Sequence, residues 1–156
     1  MSLTPILLFV HIGLMFGAVM ISLGPALVMR IAEQSGQMAL VRGVALASKP
    51  IGPAIPIAFI GGGIFGLLTA INVGYNLLAP WLVIAYVLFL VAMITGAGIN
   101  RTFLLRLAPI VKDAPDGELT EPVRALFAEP RYRFVNILDY VVILALIYDM
   151  VAKPFS

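Results

Sequence analysis

The chain has 156 residues, a length suited to one domain. Hydrophobic residues make up 62% and charged residues 12%, where soluble domains carry roughly 45–50% and about 25%. That surplus of apolar surface needs lipid to cover it. A net charge of +2 is too small for a nucleic-acid footprint, and the lack of cysteine excludes disulfides, thiolate metal sites and cysteine nucleophiles.

The opening Met1-Ser2-Leu3-Thr4 lacks the basic n-region of a signal peptide, and the apolar run after it is longer than an h-region. It reads as a retained transmembrane helix. Residues 5–29 are uncharged and exceed the roughly 20 needed to cross a bilayer. Pro25 is expected to kink this helix near its end, because it lacks a backbone donor, and Arg30 is expected to end it.

Residues 30–49 form a first charged segment containing Arg30, Glu33, Arg42 and Lys49. Ser35 is placed to cap a short helix over 36–48, and Pro50 marks the break after it. From Pro50 to Asn100 nothing is charged, a run too long for one helix and suited to two. The turn residues Asn72-Val73-Gly74-Tyr75-Asn76 divide it into spans at 51–72 and 79–100, and Pro80 opens the later helix.

A second charged segment, 101–133, interleaves Arg101, Arg106, Lys112, Arg124, Arg131 and Arg133 with Asp113, Asp116, Glu118, Glu121 and Glu129. Pro109, Pro115, Pro122 and Pro130 divide it. It reads as solvated loop. Within it Thr120 can cap a short surface helix ending at Phe127, with Leu126 and Phe127 turned inward. The last span is 134–152. It contains Asp139 and Asp149 and ends at Lys153-Pro154.

The expected fold class is therefore all-α, an integral membrane four-helix bundle. Every Lys and Arg but Lys153 lies in the two charged segments. The positive-inside rule then places both segments in the cytoplasm, with one short outer loop and both termini outside a bacterial cytoplasmic (inner) membrane. Tyr75 and Trp81 fall at the outer boundary, Tyr132 at the inner one. Gly13 and Gly17, Gly62 and Gly66, and Ala92 and Gly96 are pairs of small residues four apart, a spacing that lets helix backbones approach. They serve packing within the bundle or the face of a homodimer.

Ionisable groups inside a membrane are costly, so each needs a reason. His11 is the sole histidine, and Met15 follows one turn later on the same face. Two roles fit: a neutral imidazole hydrogen-bonded inside the bundle, or an imidazole and thioether ligating haem iron or copper. Arg30, Asn100, Arg101, Asn136 and Asp139 all fall near the inner surface and form a candidate polar cluster. It is either a structural Asp–Arg ion pair or a proton or ligand site. His11 and Asp139 are separated by about 13 Å along the membrane normal, which excludes a direct pair. Asp149 is nearer to His11 in level, and two placements fit it: within the bundle at that level, or at the outer interface, solvated beside Lys153. No hydrolase elbow, phosphate loop, zincin motif or dinucleotide fingerprint is present.

Three stretches carry a family resemblance: Phe9-Val10-His11-Ile12-Gly13, the glycines before Leu67-Leu68-Thr69, and Met150-Val151-Ala152-Lys153-Pro154. Together they resemble a bacterial family of small predicted four-helix integral membrane proteins of unknown function. More distantly, the transmembrane histidine followed by small residues resembles HemJ-type protoporphyrinogen oxidases and copper-resistance D-type membrane proteins. The HemJ-type resemblance implies haem b with His11 as an axial ligand. This chain lacks the further histidines and the paired basic residue expected near such a site.

The sequence thus leads to a small membrane bundle acting as an accessory or binding subunit, as a homodimer or within a larger complex, without catalytic activity of its own. The alternatives are a haem-b redox protein using His11 and a small ion or metal transporter.

Overall fold

The computed structural model describes residues 3–155, with Ala97 described by its backbone alone. The described residues are helical and include no strand. In chain order the elements are α1 (Thr4–Ser35), α2 (Met38–Ser48), α3 (Ala54–Val73), α4 (Pro80–Ala92), a π-helical segment (Met93–Asn100), α5 (Arg101–Lys112), α6 (Glu121–Ala128) and α7 (Pro130–Ala152). Four continuous helices are long and apolar enough to cross a membrane: Thr4–Ser35, Ala54–Val73, Pro80–Lys112 and Pro130–Ala152.

Two of these outrun the expected spans. α1 does not stop at Arg30, since a charge alone does not end a helix. It stops at Gly36, whose φ of 70° no β-carbon opposes, with the Gly36 N–H bonded to Glu33 O. Ser35 therefore closes α1 instead of capping the next helix, and its hydroxyl donates to Ala32 O at 2.7 Å. Likewise α4 runs through the π segment into α5 and ends at Lys112, twelve residues beyond Asn100. α7 begins a turn earlier than expected, with Pro130 in its first turn.

At the opposite end, α3 and α4 form the expected hairpin. Gly74 adopts φ 84°, Tyr75 N–H donates to Ala70 O at 3.0 Å, and Leu78 N–H donates to Asn76 Oδ1 at 3.0 Å. Lys153 closes this end by donating to the Tyr75 hydroxyl at 2.7 Å, with its ammonium 4.7 Å from the Tyr75 ring centroid and 5.4 Å from that of Trp81. Trp81 itself is buried against Ala70 and Leu82.

Within the bundle α1 packs chiefly on α3, and α4 on α7. Ala18, Phe59, Ala92 and Val142 bring all four spans together at mid-length. The outer faces stay apolar: Phe9, Phe16, Phe134 and Val151 are all more than 60% exposed. In water such faces would be untenable, whereas lipid covers them.

The second charged segment is not solvated loop throughout: α5 and α6 occupy most of it, with an irregular stretch at 113–120. Met38, Val41 and Ala45 of α2, Phe103, Leu107 and Val111 of α5, and Leu119, Val123, Leu126 and Phe127 form a second core with Met29 and Ala32 of α1. Tyr132 stacks on Phe103 within it, ring centroids 3.7 Å apart. Leu126 and Phe127 point inward as expected, but into this cap core. Backbone bonds from Met38 N to Gly117 O (2.8 Å) and from Leu119 N to Gly36 O (3.0 Å) join the two segments directly. Arg106 pairs with both oxygens of Glu129 at 2.9 and 2.5 Å and holds that carboxyl below its ordinary range.

Arg42 fastens α2 to the end of α5. Its Nε donates to Val111 O at 2.8 Å, one terminal nitrogen donates to Ala114 O, and the other meets Asp116 at 2.8 Å. These carbonyls lie at a helix C-terminus, where no backbone donor is left to reach them. Arg42→Ala is expected to cost about 2–3 kcal/mol in unfolding experiments in detergent. Arg42→Lys should recover a minor part, since an ammonium cannot reproduce the planar fork. Equal stability of all three proteins would show that the fork does not hold the cap.

Candidate functional site

Polar side chains within the spans gather at three places. The first is the seam between α1 and α3. These helices run antiparallel, so His11 lies against Gly66 and Met15 against Gly62. A β-carbon on Gly66 would come within 2.8 Å of the imidazole, and one on Gly62 within 2.6 Å of the Met15 sulfur. Both glycines are thus notches that admit the α1 side chains. His11 Nδ1 lies 2.7 Å from Gly62 O. A carbonyl only accepts, so Nδ1 is the donor, and Nε2 has no hydrogen-bond partner among the described residues.

The second place is the cap end of the bundle. Asn100 Nδ2 donates to Asp139 Oδ2 at 2.5 Å. Asp139 is 3% exposed, and Asn136, one turn before it, donates from Nδ2 to Tyr132 O at 3.0 Å. No arginine pairs with Asp139 among the described residues. Arg30 and Arg101 are exposed. So Asn100, Asn136 and Asp139 come together as expected, while the anticipated Asp–Arg ion pair is replaced by a carboxamide–carboxylate bond.

Beside this bond lies a cavity of about 60 Å³, room for a few waters. Asn100, Arg101 and Asn136 line it, with Ser22, Ser48 and Tyr132. Two departures from regular helix border the same space. Pro25 has no N–H, so the carbonyl four residues earlier, at Ile21, loses its usual partner, and both residues line the cavity. Opposite, the π segment supplies Gly96 and Asn100. Its wider winding lets α4 face α7 while α5 faces α2. Thr95 and Thr102 donate to Val91 O and Gly98 O at 2.9 and 2.8 Å, tying their hydroxyls to carbonyls of this stretch.

The third place is Asp149. Of its two placements the solvated one beside Lys153 does not hold: Asp149 is 2% exposed, and neither carboxyl oxygen has a hydrogen-bond partner among the described residues. Lys153 is turned instead to the rings of Tyr75 and Trp81. The signal was available in the spacing. Asn136, Asp139, Val142, Ile143, Leu146 and Asp149 recur at intervals of three and four and form the buried stripe of α7. Asp139 and Asp149 therefore share one face, about 15 Å apart along the helix. His11 bonds to neither aspartate among the described residues; its imidazole is hydrogen-bonded to Gly62 O of α3.

The two aspartates predict opposite responses to the same change. Asp139→Leu leaves the Asn100 amide without its acceptor and should cost about 1–3 kcal/mol. Asp149→Leu removes a buried carboxyl with nothing to satisfy and should leave stability unchanged or raise it by about 1–2 kcal/mol. Thermal unfolding of both variants in one detergent tests this. A larger loss for Asp149→Leu would mean that its carboxyl has a stabilising partner.

Among the described residues no three His, Cys, Asp or Glu side chains cluster as metal ligands would. Comparison of the chain with protein-family models, with curated proteins and with solved structures finds no match.

Proposed function

We propose that this chain is an accessory or binding subunit of a membrane assembly, associating with a second transmembrane helix through α1. One observation carries the reading. Of the three small-residue pairs, Gly62 and Gly66 are filled by Met15 and His11, and Gly96 lies against Ser22. Gly13 and Gly17 have nothing within 4 Å of a β-carbon built on them, and neither has Gly24, two turns further along the same face. Glycine is a poor helix former, so a line of it on an unpacked face is a cost without a return inside the monomer. Close approach of another helix supplies that return.

The partner is a second copy or another membrane protein. Gly13→Leu with Gly17→Leu should weaken association by about tenfold or more, roughly 1.4 kcal/mol. The readout is native mass spectrometry or fluorescence transfer in lipid nanodiscs. Val141→Leu on the outer face of α7 should leave it unchanged. A wild-type chain that stays monomeric at all densities and purifies without a stoichiometric partner would rule this role out.

A second reading, haem-b binding at His11, is favoured by the Nδ1 bond to Gly62 O. That bond orients the ring and leaves Nε2 as the donor atom, as a carbonyl hydrogen bond to the other ring nitrogen does for a ligating histidine. Met15 stands beside it against the same helix. The expected signature is a Soret band in protein purified from haem-replete cells, lost in His11→Ala. A colourless wild type ends this reading.

A further inference from the structure

The apolar runs end, on the cap side, at Arg30, Lys49, Arg101 and Arg133. Met29, Ser48 and Tyr132, each the chain neighbour of one of these cations, line the cavity described above, and so does Arg101 itself. The cavity therefore lies where the apolar runs give way to positive charge.

The carboxylates nearby are largely committed elsewhere. Asp116, Glu118 and Glu129 pair with Arg42, Arg124 and Arg106 inside the cap. Glu33 lies in Coulombic range of Arg30 and Arg133. Asp139 is bonded to Asn100. Lys49 and Arg101 are exposed and have no ion-pair or hydrogen-bond partner among the described residues.

We propose that this cap-end cavity is a binding site for an anionic phospholipid. The phosphate-bearing headgroup lies on Arg101 and Lys49, and the upper part of an acyl chain enters between Ile21, Pro25, Ile55 and Leu104. Charge complementarity selects an anion, since two unpaired cations at a membrane surface attract acidic headgroups. The wall selects a lipid over a free anion, because those four side chains offer nothing to inorganic phosphate and a favourable contact to a hydrocarbon chain. Ser48 and Asn100 add polar groups at the level of the glycerol ester.

The test uses the whole chain in detergent micelles, titrated with phosphatidylglycerol or phosphatidylcholine and read by native mass spectrometry. Phosphatidylglycerol should be retained about tenfold or more tightly than phosphatidylcholine. Arg101→Gln combined with Lys49→Gln should abolish the preference, while Lys112→Gln, an exposed cation at the far end of α5, should leave it intact. Ala26→Phe, which narrows the cavity without changing charge, should weaken phosphatidylglycerol retention. Inorganic phosphate in the millimolar range should not displace the lipid. Equal retention of the two lipids by the wild type would overturn the proposal. So would an unchanged preference in the double variant, or displacement by phosphate alone, which would mark a bare anion site. If the double variant does not fold, Arg101→Gln alone decides, and an unaltered preference overturns the proposal equally.

Discussion

In hydrocarbon a peptide group has no water to turn to, so each segment that crosses must satisfy its own backbone. This constraint makes the spans helices and makes interruptions in them expensive. The chain nevertheless carries two, the missing donor at Pro25 and the π winding over Met93–Asn100, and both border one cavity at the cap end. Their placement is economical. Near the polar boundary, Ser22, Ser48, Asn100 and Asn136 stand close by, whereas the middle of the bundle is closed by an apolar cluster around Ala18, Phe59, Ala92 and Val142.

The molecule has two cores that obey different rules. In the bundle, lipid is as apolar as leucine and gives no hydrophobic drive for helices to associate. Close fit must do that work, which is why glycines admit His11 and Met15 at the α1–α3 seam. In the cap, water is the solvent. There a conventional apolar core, with Leu107, Val41, Val111 and Val123 fully buried, is sealed by arginine forks to carbonyls and carboxylates.

The spans were legible because long uncharged runs leave few alternatives, and the hairpin because Gly74 and Asn76 have specific turn chemistry. The cap was not. Its charges drew attention to solvent, while the spacing Phe103, Leu107, Val111 hid a buried face within a charged segment. The two helix extensions were missed because Arg30 and Arg101 were read as stops, though charge limits the apolar span and says nothing about the end of the helix. Asn100, Asn136 and Asp139 were placed together by depth alone. Which of them bond is a matter of rotation about the helix axes, and the π winding alters that rotation without a mark in the sequence. Nearness to the chain end leaves two placements for Asp149, and the periodicity of α7 selects the buried one.

α1 runs as one rod from Thr4 to Ser35, about 48 Å at 1.5 Å per residue. Its middle bears the open glycine face, from Gly13 to Gly24, and toward its end Met29 and Ala32 are set in the cap core. A rod held at its end passes a tilt of its middle to the cap as a lateral load, and it yields where its hydrogen-bond ladder is thinnest. That point is Pro25, at the cavity wall. A helix docked on the glycines, as proposed above, would load that cavity through Pro25, which gives this proline the character of a fulcrum.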